Sequence, residues 1–586
     1  MLHRSPPPTA IVAGCQTIDE RIESLVHELT TLREYKNSFA PISRLPAELI
    51  ALIFFYYQAM QRAAAKALRQ NEYVVPSWLN VTYVCRRWRH IALEIPTLWV
   101  DIVIHKYWTQ EMLRRSRNAP LILDVVLPFP NNSTARPSKF LPTVKLALEQ
   151  LHRAGELNLV GHWEVLQEVM AQLSVKRAPL LSSLSLTSQG GPQMIVPPNI
   201  FAGEVPPLLC HVTLWNCDVA WDSPFLSQNL VSLTVMGTYR FERPTNGTLL
   251  NALSGMTELE SLTLNALPWV NPTSQDFTSP LPAQPTILLP SLSRLRLTGR
   301  AIECDEFMNR LSMPALTSLS LKCQIEVPGA LDLEGIFEKI TQIVNGTSRP
   351  HGPDTPLHCI RVGDLDTAFG LHIEGWSGVP PADTYEWPRP AADPVVSCRF
   401  WWTETLSERL EIPLITKFMA TVPVQDVRTL VMHPPYFGST PIDWTACFGR
   451  LARLQAIHIR DWSTMEVLFT AWRAYISWDP SYYNGGSSSD ESDLTPCAAE
   501  YPELRSLHVV DVELYGIYPR SNLRAPSEIL VEILTQRARR SLKLEKLWIC
   551  GDGIEEAAVE KLKTVVSQVN WDSDRNWQRQ QSPNVP

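Results

Sequence analysis

The chain of 586 residues carries 60 acidic and 52 basic side chains, which gives a formal net charge of −8. A weakly acidic chain without a basic block argues against nucleic acid or an acidic membrane surface as the main partner. Apolar residues make up 45% of the chain, a share typical of folded soluble proteins. Because the length exceeds what one hydrophobic core supports, we expect two or more domains or one solenoid built from repeats.

The cellular compartment follows from what the sequence lacks. The longest apolar run, residues 49–57, is much shorter than the ~20 residues that a membrane-spanning helix needs. Residues 1–8 contain no apolar segment of the kind found in secretory signal peptides. Eleven scattered cysteines without such a signal are typical of reduced thiols. We therefore expect a protein of the cytoplasm, the nucleus or both, with no membrane contact.

The first predicted element is an amphipathic helix over residues 16–38, preceded by a disordered segment, residues 1–15. Its apolar residues are spaced by four, three, four and three positions, which is the a/d pattern of a coiled coil. These residues are Ile18, Ile22, Leu25, Leu29 and Leu32. Two heptads are too few to establish a coiled coil. Two interpretations therefore stay open: a helix packed on the following module, or self-association.

Two helical blocks follow within residues 42–102. In the first block Pro46 suits the opening turn of a helix. Apolar residues at helical spacing follow it, at Leu49, Leu52, Ile53, Tyr56 and Met60. The second block ends at Pro96, which cannot continue a helix. Its apolar face is predicted from Val81, Val84, Cys85, Trp88, Ile91, Ala92 and Ile95.

The order of these motifs resembles the F-box, a short helical module, as found in the F-box proteins abundant in mushroom-forming fungi. The matching stretches are Ile42-Ser43-Arg44-Leu45-Pro46-Ala47-Glu48-Leu49, Val84-Cys85-Arg86-Arg87-Trp88-Arg89 and Pro96-Thr97-Leu98-Trp99. The resemblance implies binding to the Skp-type adaptor of a cullin-based ubiquitin ligase, and a specificity subunit rather than a catalyst. Residues 58–77 depart from the family pattern as an alanine-rich insertion, and their composition predicts a longer first helix.

The resemblance also implies roles for individual side chains. In F-box proteins the opening segment meets the adaptor, and an apolar residue just ahead of a helix has little core of its own to enter. We therefore predict an adaptor-binding surface formed by Leu45, Pro46, Leu49, Ile53 and Val84. The core of the module is predicted to contain Cys85, Trp88, Ile91, Leu98 and Trp99.

After the F-box the dominant signal is a repeated hexad, apolar-x-x-apolar-x-apolar. Its eleven copies begin at Leu181, Leu209, Leu230, Leu259, Leu292, Leu316, Leu357, Val427, Leu454, Leu504 and Leu544. From residue 184 to 319 the middle apolar positions are 21 to 33 residues apart, close to the period of leucine-rich repeats. Parallel strands of this kind stack their apolar sides into one core. We predict an α/β fold in which an irregular leucine-rich-repeat-like solenoid with a parallel sheet occupies residues 103–565.

The array is expected to begin early and to become irregular late. Alternating residues predict strands at residues 99–104, 120–127 and 155–159, with a helix over residues 107–117 between the first two. Beyond residue 319 the steps grow to as many as 70 residues, and the alternating residues 396–402 are predicted to fill the longest gap. The loop near residues 485–500 and the tail 572–586 are predicted to be disordered.

The sequence shows no phosphate-binding loop, nucleophile elbow or zinc-protease motif. Cys210 and Cys217 flank His211 without zinc spacing. Cys359 and His358 are adjacent in a predicted strand, so their side chains point to opposite faces. We therefore predict no cofactor, no metal and no catalytic residues.

The leading hypothesis is a substrate-recognition subunit that binds the Skp adaptor and cullin through the F-box and an unknown target through the repeats. The alternative is a scaffold that acts without a cullin ligase, which an insertion that blocks docking would favour. No motif supports a third hypothesis, an enzyme in the C-terminal half. We predict that the target binds after residue 360, where the insertions, the Trp401–Trp402 pair and the acidic loop 487–493 fall.

Overall fold

The chain forms two compact units, Met1–Phe225 and Leu226–Pro586. The computed structural model describes residues 8–67, 76–105, 107–127, 141–226, 230–237, 246–265, 286–326, 333–346, 356–365, 367–379, 392–402, 410–432, 443–460, 464–465, 467–469, 471–472, 501–510, 526–550 and 554–572. Of the segments predicted to be disordered, residues 1–7, the loop near residues 485–500 and residues 573–586 lie outside these residues, whereas residues 8–15 are helical and not disordered. Among the helices within them, none combines the length and the apolar character needed to cross a membrane.

The first unit begins with helices and continues with strands. Its helices are α1 (Pro8–Ser38), α2 (Ala47–Ala67), α3 (Val81–Val84), α4 (Arg86–Glu94), α5 (Trp108–Arg115), α6 (Leu141–Leu148) and α7 (Trp163–Leu173). Short 3-10 helices occupy Pro41–Arg44, Ser77–Asn80, Pro96–Trp99, Leu151–Arg153 and Ile200–Gly203. The strands are β1 (Asp101–Ile102), β2 (Leu121–Val126), β3 (Ala154–His162), β4 (Ser183–Gln189), β5 (Met194–Ile195), β6 (His211–Trp215) and β7 (Cys217–Asp218).

The strands of the first unit pair in chain order. β1, β2, β3, β4 and β6 are parallel neighbours, and β5 and β7 form a separate parallel pair. One apolar row runs across four strands in register, through Leu123, Leu157, Leu184 and Val212. All four side chains are buried. Such alternation explains why the hexads form strands, since each strand turns every second side chain into a core that no single strand could enclose.

The second unit repeats this plan over a longer stretch of chain. Its helices are α8 (Asn246–Ser254), α9 (Ala301–Asn309), α10 (Glu334–Val344), α11 (Glu411–Thr421), α12 (Trp444–Phe448), α13 (Pro526–Arg539) and α14 (Glu556–Val565). Its strands are β8 (Ser232–Met236), β9 (Ser261–Asn265), β10 (Ile287–Leu288), β11 (Arg294–Arg300), β12 (Leu311–Ser312), β13 (Ser318–Ile325), β14 (Cys359–Leu365), β15 (Thr367–Trp376), β16 (Val396–Trp402), β17 (Thr429–Met432), β18 (Ala456–Arg460), β19 (Ser506–Val510), β20 (Lys546–Cys550) and β21 (Gln568–Asp572).

The main sheet of this unit is almost entirely parallel. Its order is β8–β9–β11–β13–β16–β15–β14–β17–β18–β19–β20–β21, and only β15 runs antiparallel to its neighbours. The middle apolar residues of successive hexads lie in register, for example Leu262, Leu295 and Leu319. The prediction of a large parallel sheet behind a helical N-terminal region is thus confirmed.

The strand order departs from chain order at one place. After β13 the chain enters the sheet at β14, returns through the antiparallel β15, and only then adds β16 beside β13. The strand predicted over residues 396–402 is therefore present, but the hexad at residues 357–362 pairs with β17 rather than with β13. Antiparallel neighbours need only a short connection, so a hairpin inserts here where the hexad spacing predicted consecutive parallel repeats.

Candidate functional site

The core of residues 42–102 lies on one side of α2. Ile50 and Phe54 are buried from α2, and the Trp99 ring packs edge-to-face on Trp78 with centroids 5.2 Å apart. The indole Nε1 of Trp99 donates a hydrogen bond of 2.7 Å to the carbonyl of Ala92. A fully buried tryptophan with a satisfied N–H contributes a large apolar surface without an unpaired donor. Trp99 is therefore the central side chain of this core.

The predicted core residues divide into two groups. Ile91, Leu98 and Trp99 are buried. Cys85 and Trp88 are only partly buried, and Trp88 meets Phe54 edge-to-face at 5.2 Å from the rim of the core.

The opposite side of α2 carries an exposed apolar surface, which we call the α2 stripe. It consists of Leu49, Leu52, Ile53, Tyr56 and Met60, all at least 38% exposed. The helical spacing that predicted one apolar face is therefore present, but that face points to solvent while Ile50 and Phe54 supply the core. A contiguous apolar helix face left open to water is a typical feature of an interaction surface.

Two hydrogen bonds from an arginine of α4 fix the backbone of the segment that precedes α2. Arg87 donates hydrogen bonds of 2.6 Å to the carbonyl of Ser43 and 2.5 Å to that of Leu45. Leu45 is partly buried and Pro46 is exposed. Arg87 belongs to the F-box-resembling motif, but its role could not be predicted, because spacing does not reveal which carbonyls a guanidinium meets.

The second predicted helical block is not one continuous helix. At Cys85 the backbone is extended, with φ −157° and ψ 171°, and separates α3 from α4. The prediction of a single apolar face from Val81 to Ile95 is therefore wrong, because the break rotates α3 relative to α4. Val84 is 59% exposed, as its predicted role in adaptor binding requires.

The insertion continues α2 toward the first strands. Gln58 donates a hydrogen bond of 3.1 Å to the Leu98 carbonyl. Arg62 lies 3.8 Å from the carboxylate of Asp101 and 3.9 Å from that of Glu156. These contacts direct Gln58 and Arg62 of the insertion toward β1 and β3, whereas Met60 of the same segment belongs to the α2 stripe. Residues 68–75 lie outside the described structure.

The helical module is joined to the strands by further contacts around α5. The guanidinium of Arg115 lies 4.3 Å from the centroid of the Trp99 ring. Hydrogen bonds from Arg114 and Arg115 lower the pKa of Glu111 to about 2, against the opposing effect of burial. The buried Arg153 donates to the carbonyls of Leu113 and of neighbouring residues at the end of α5, which satisfies groups that a helix terminus leaves unpaired.

One serine, histidine and glutamate come together in the second unit. The hydroxyl of Ser397 lies 3.1 Å from Nε2 of His372, and a carboxylate oxygen of Glu374 lies 3.5 Å from the same nitrogen. A catalytic relay needs the hydroxyl on one ring nitrogen and the carboxylate on the other. This cluster therefore lacks the geometry of a relay.

Cys217 and Cys359 are buried, whereas Cys210 is partly buried. Burial raises the pKa of Cys217 and of Cys359 to about 12, which leaves both as thiols at neutral pH. In the part of the chain that the structure describes, no group of three or more His, Cys, Asp or Glu residues is arranged to hold a metal ion.

Comparison with known families identifies residues 42–105 as F-box-like. A search among curated proteins finds no match to the chain. The F-box-like match begins at residue 42, the predicted boundary, and ends three residues past the predicted end at residue 102. It contains both the α2 stripe and the core around Trp99. The chain therefore contains an F-box-like domain, a protein-interaction module, over residues 42–105.

Proposed function

We propose that this chain is the substrate-recognition subunit of a Skp–cullin–F-box ubiquitin ligase, acting in the cytoplasm, the nucleus or both. The observation that carries the proposal is the α2 stripe: an F-box-like domain exposes an apolar helix face although its core is complete on the other side. Leu45, Pro46, Leu49, Ile53 and Val84 contact the adaptor. Binding of the adaptor buries these side chains, which stabilises the complex by about 25 cal/mol for each Å² of apolar surface removed from water.

In this function the chain contributes proximity rather than catalysis. Holding a target protein near a conjugating enzyme converts a bimolecular reaction into an effectively intramolecular one, which alone supplies a large rate effect. No residue of this chain needs to touch the reacting atoms.

The strand array is proposed to be a leucine-rich-repeat-like solenoid that presents the target-binding surface. The parallel order and the in-register apolar rows support this, because stacked repeats expose the alternate side chains of every strand on one extended face. The target itself is unknown.

The target surface is proposed to lie on the later strands. There His458, His508 and Trp548 stack across β18, β19 and β20, with centroids 4.0 Å and 5.8 Å apart. A cleft of about 290 Å³ beside them is lined by Trp548 and Trp571, among others. Trp571 is 39% exposed at this cleft, and exposed aromatic side chains are frequent anchors of interfaces. Of the tryptophan pair considered in the sequence, Trp402 is buried, and the acidic loop 487–493 lies outside the described residues.

Co-purification with a Skp-type adaptor and a cullin tests the adaptor half of the proposal. The Leu49→Asp, Ile53→Asp double variant removes two apolar residues from the stripe and is expected to lose the adaptor and, with it, the cullin. Thr97→Asp introduces one aspartate at an exposed position of the same domain and should keep both partners. If the unaltered chain recruits neither protein, the alternative of a scaffold without a cullin ligase replaces this proposal.

Proximity labelling tests the target half. A full-length chain and a chain ending near residue 350 should label different sets of proteins if the later strands bind the target. Identical sets would place the target surface elsewhere.

A further inference from the structure

Helix α1 carries a second apolar surface that the F-box-like domain does not cover. The helix spans 31 residues, a length of about 45 Å at 1.5 Å per residue. Its five a/d residues are between 48% and 61% exposed. They are Ile18, Ile22, Leu25, Leu29 and Leu32. We call this surface the α1 seam.

The width of the α1 seam indicates the kind of partner it fits. Every b, c and f position of the described side chains is polar. These residues are Gln16, Thr17, Glu20, Glu23, Ser24, His27, Thr30, Thr31, Glu34, Asn37 and Ser38. Apart from Val26 at an e position and Tyr35 at a g position, the apolar residues keep to a and d. Such a stripe is narrower than the face that a helix lays on a globular core, and it matches the groove of one other helix. The partner is therefore another amphipathic helix.

The F-box-like domain lies on the opposite side of α1. Glu34 occupies an f position, directly away from the a/d seam, and its carboxylate lies 3.0 Å from the guanidinium of Arg86 in α4. The Ser43 hydroxyl donates to the backbone carbonyl of Asn37 at the end of α1. The ion pair of Glu34 holds the polar side of α1 against the domain, and the a/d residues are exposed, so the seam is accessible to a second chain.

The charges beside the seam fit a second copy of the same helix. In a parallel pair, each g position meets the e position five residues later in the other helix. Glu28 then meets Arg33 of the second copy, twice by symmetry, and Arg21 meets Val26. No g–e contact within residues 16–39 joins like charges. Lys36 occupies the a position beyond the last apolar layer, and a single lysine at such a position specifies register and oligomer state at a cost in stability.

We propose that α1 pairs with α1 of a second copy of this chain in a parallel, two-stranded coiled coil. The dimer carries two F-box-like domains, each attached to the outer side of its own helix. This inference concerns self-association and does not depend on the identity of the adaptor or the target.

Sedimentation of the full chain over a range of micromolar concentrations tests the dimer. We expect a dimer that Leu25→Asp dissociates, with a rise in dissociation constant of more than about 100-fold, because each dimer loses two buried leucines. His27→Asp introduces the same side chain at an f position and should leave the dimer intact. A chain that is monomeric throughout, or a dimer that Leu25→Asp leaves unchanged, would overturn the proposal.

Charge exchange tests the parallel register. Glu28→Lys and Arg33→Glu each turn both attractive contacts into repulsive ones, and should each weaken the homodimer by about 3- to 30-fold. Mixed together, the two variants regain both attractive contacts and should form a heterodimer as tight as the unaltered pair. A mixture that shows no preference for the heterodimer rules out the parallel pairing. Neither variant changes an apolar side chain, so loss of folding does not confuse the result.

Discussion

The F-box-like domain and the strand array use apolar residues in opposite ways. In the array the apolar rows that run across the strands are buried between neighbouring strands, as for Leu184 and Leu319. Less buried side chains alternate with these leucines along each strand. In the F-box-like domain α2 is apolar on two sides, and one of them faces solvent. A repeat buries its apolar side by adding the next strand, whereas a small helical module with a complete core keeps an apolar face for another protein.

The largest loss of stability is expected from a substitution in the core of the F-box-like domain. Trp99→Ala removes a buried ring, its hydrogen bond to Ala92 and its contact with Arg115, and should destabilise the domain by about 3–5 kcal/mol. Trp88→Ala should cost less, since this ring is only partly buried. Chemical denaturation with hydrogen exchange measured over residues 42–105 checks the order of the two. Equal losses of stability in the two variants would show that Trp88 contributes as much to the core as Trp99, despite its partial exposure.

A buried leucine of the array should follow at about 2–5 kcal/mol. Leu319→Ala leaves a cavity in a row that has buried neighbours on both sides, Leu295 and Val396, so the site has little room to collapse. Hydrogen exchange should speed up along β11, β13 and β16 but not within the F-box-like domain. Acceleration over both regions would show that they unfold as one cooperative unit.

How far the sequence predicts each region follows the same division. The hexads locate the strands of the array, because alternation with period two directly reports which side of a strand is buried. They do not reveal that β16 rather than β14 joins β13, since pairing order depends on connections that leave no periodic signal. In the F-box-like domain, spacing identified the apolar residues of α2, but periodicity treats two helices as one across the break at Cys85. The partners of Arg87 and Arg62 depend on tertiary approach, which spacing does not contain.

The polar side of the array gives a pH-dependent prediction. Burial, with a smaller effect of Lys546, lowers the pKa of His508 from 6.5 to about 4, and burial and His508 together lower that of His458. Between pH 6.5 and about pH 4 this histidine binds a proton in the unfolded chain but not in the folded chain. The free energy of unfolding therefore decreases as the pH is lowered through this range. The loss from His508 is at most roughly 3 kcal/mol.

His508→Phe keeps a ring in the stack and should reduce this pH dependence. His90→Phe changes an exposed histidine of the F-box-like domain and serves as the control. Denaturation at pH 7 and pH 4.5 measures both. A slope that His508→Phe leaves unaltered would assign the acid sensitivity to other groups.

The smallest effect on stability is expected at the opening segment ahead of α2. Leu45→Ala with Pro46→Ala should change the free energy of unfolding little, yet weaken adaptor binding by about 2 kcal/mol, as truncation of an interface anchor does. Calorimetry with purified adaptor, beside thermal unfolding, separates the two quantities. Unchanged affinity with unchanged unfolding would remove this pair from the interface.

The contacts of Arg62, Arg115 and Trp99 have a mechanical consequence. Bending the F-box-like domain away from β3 and α5 would separate Arg62 from Glu156 and lift the Arg115 guanidinium from the Trp99 ring. The junction is therefore expected to be rigid and not to act as a flexible linker. An adaptor bound to α2 would impose its own orientation on the first strands, so the geometry of delivery would be set by the folded junction and not by the reach of a loose linker.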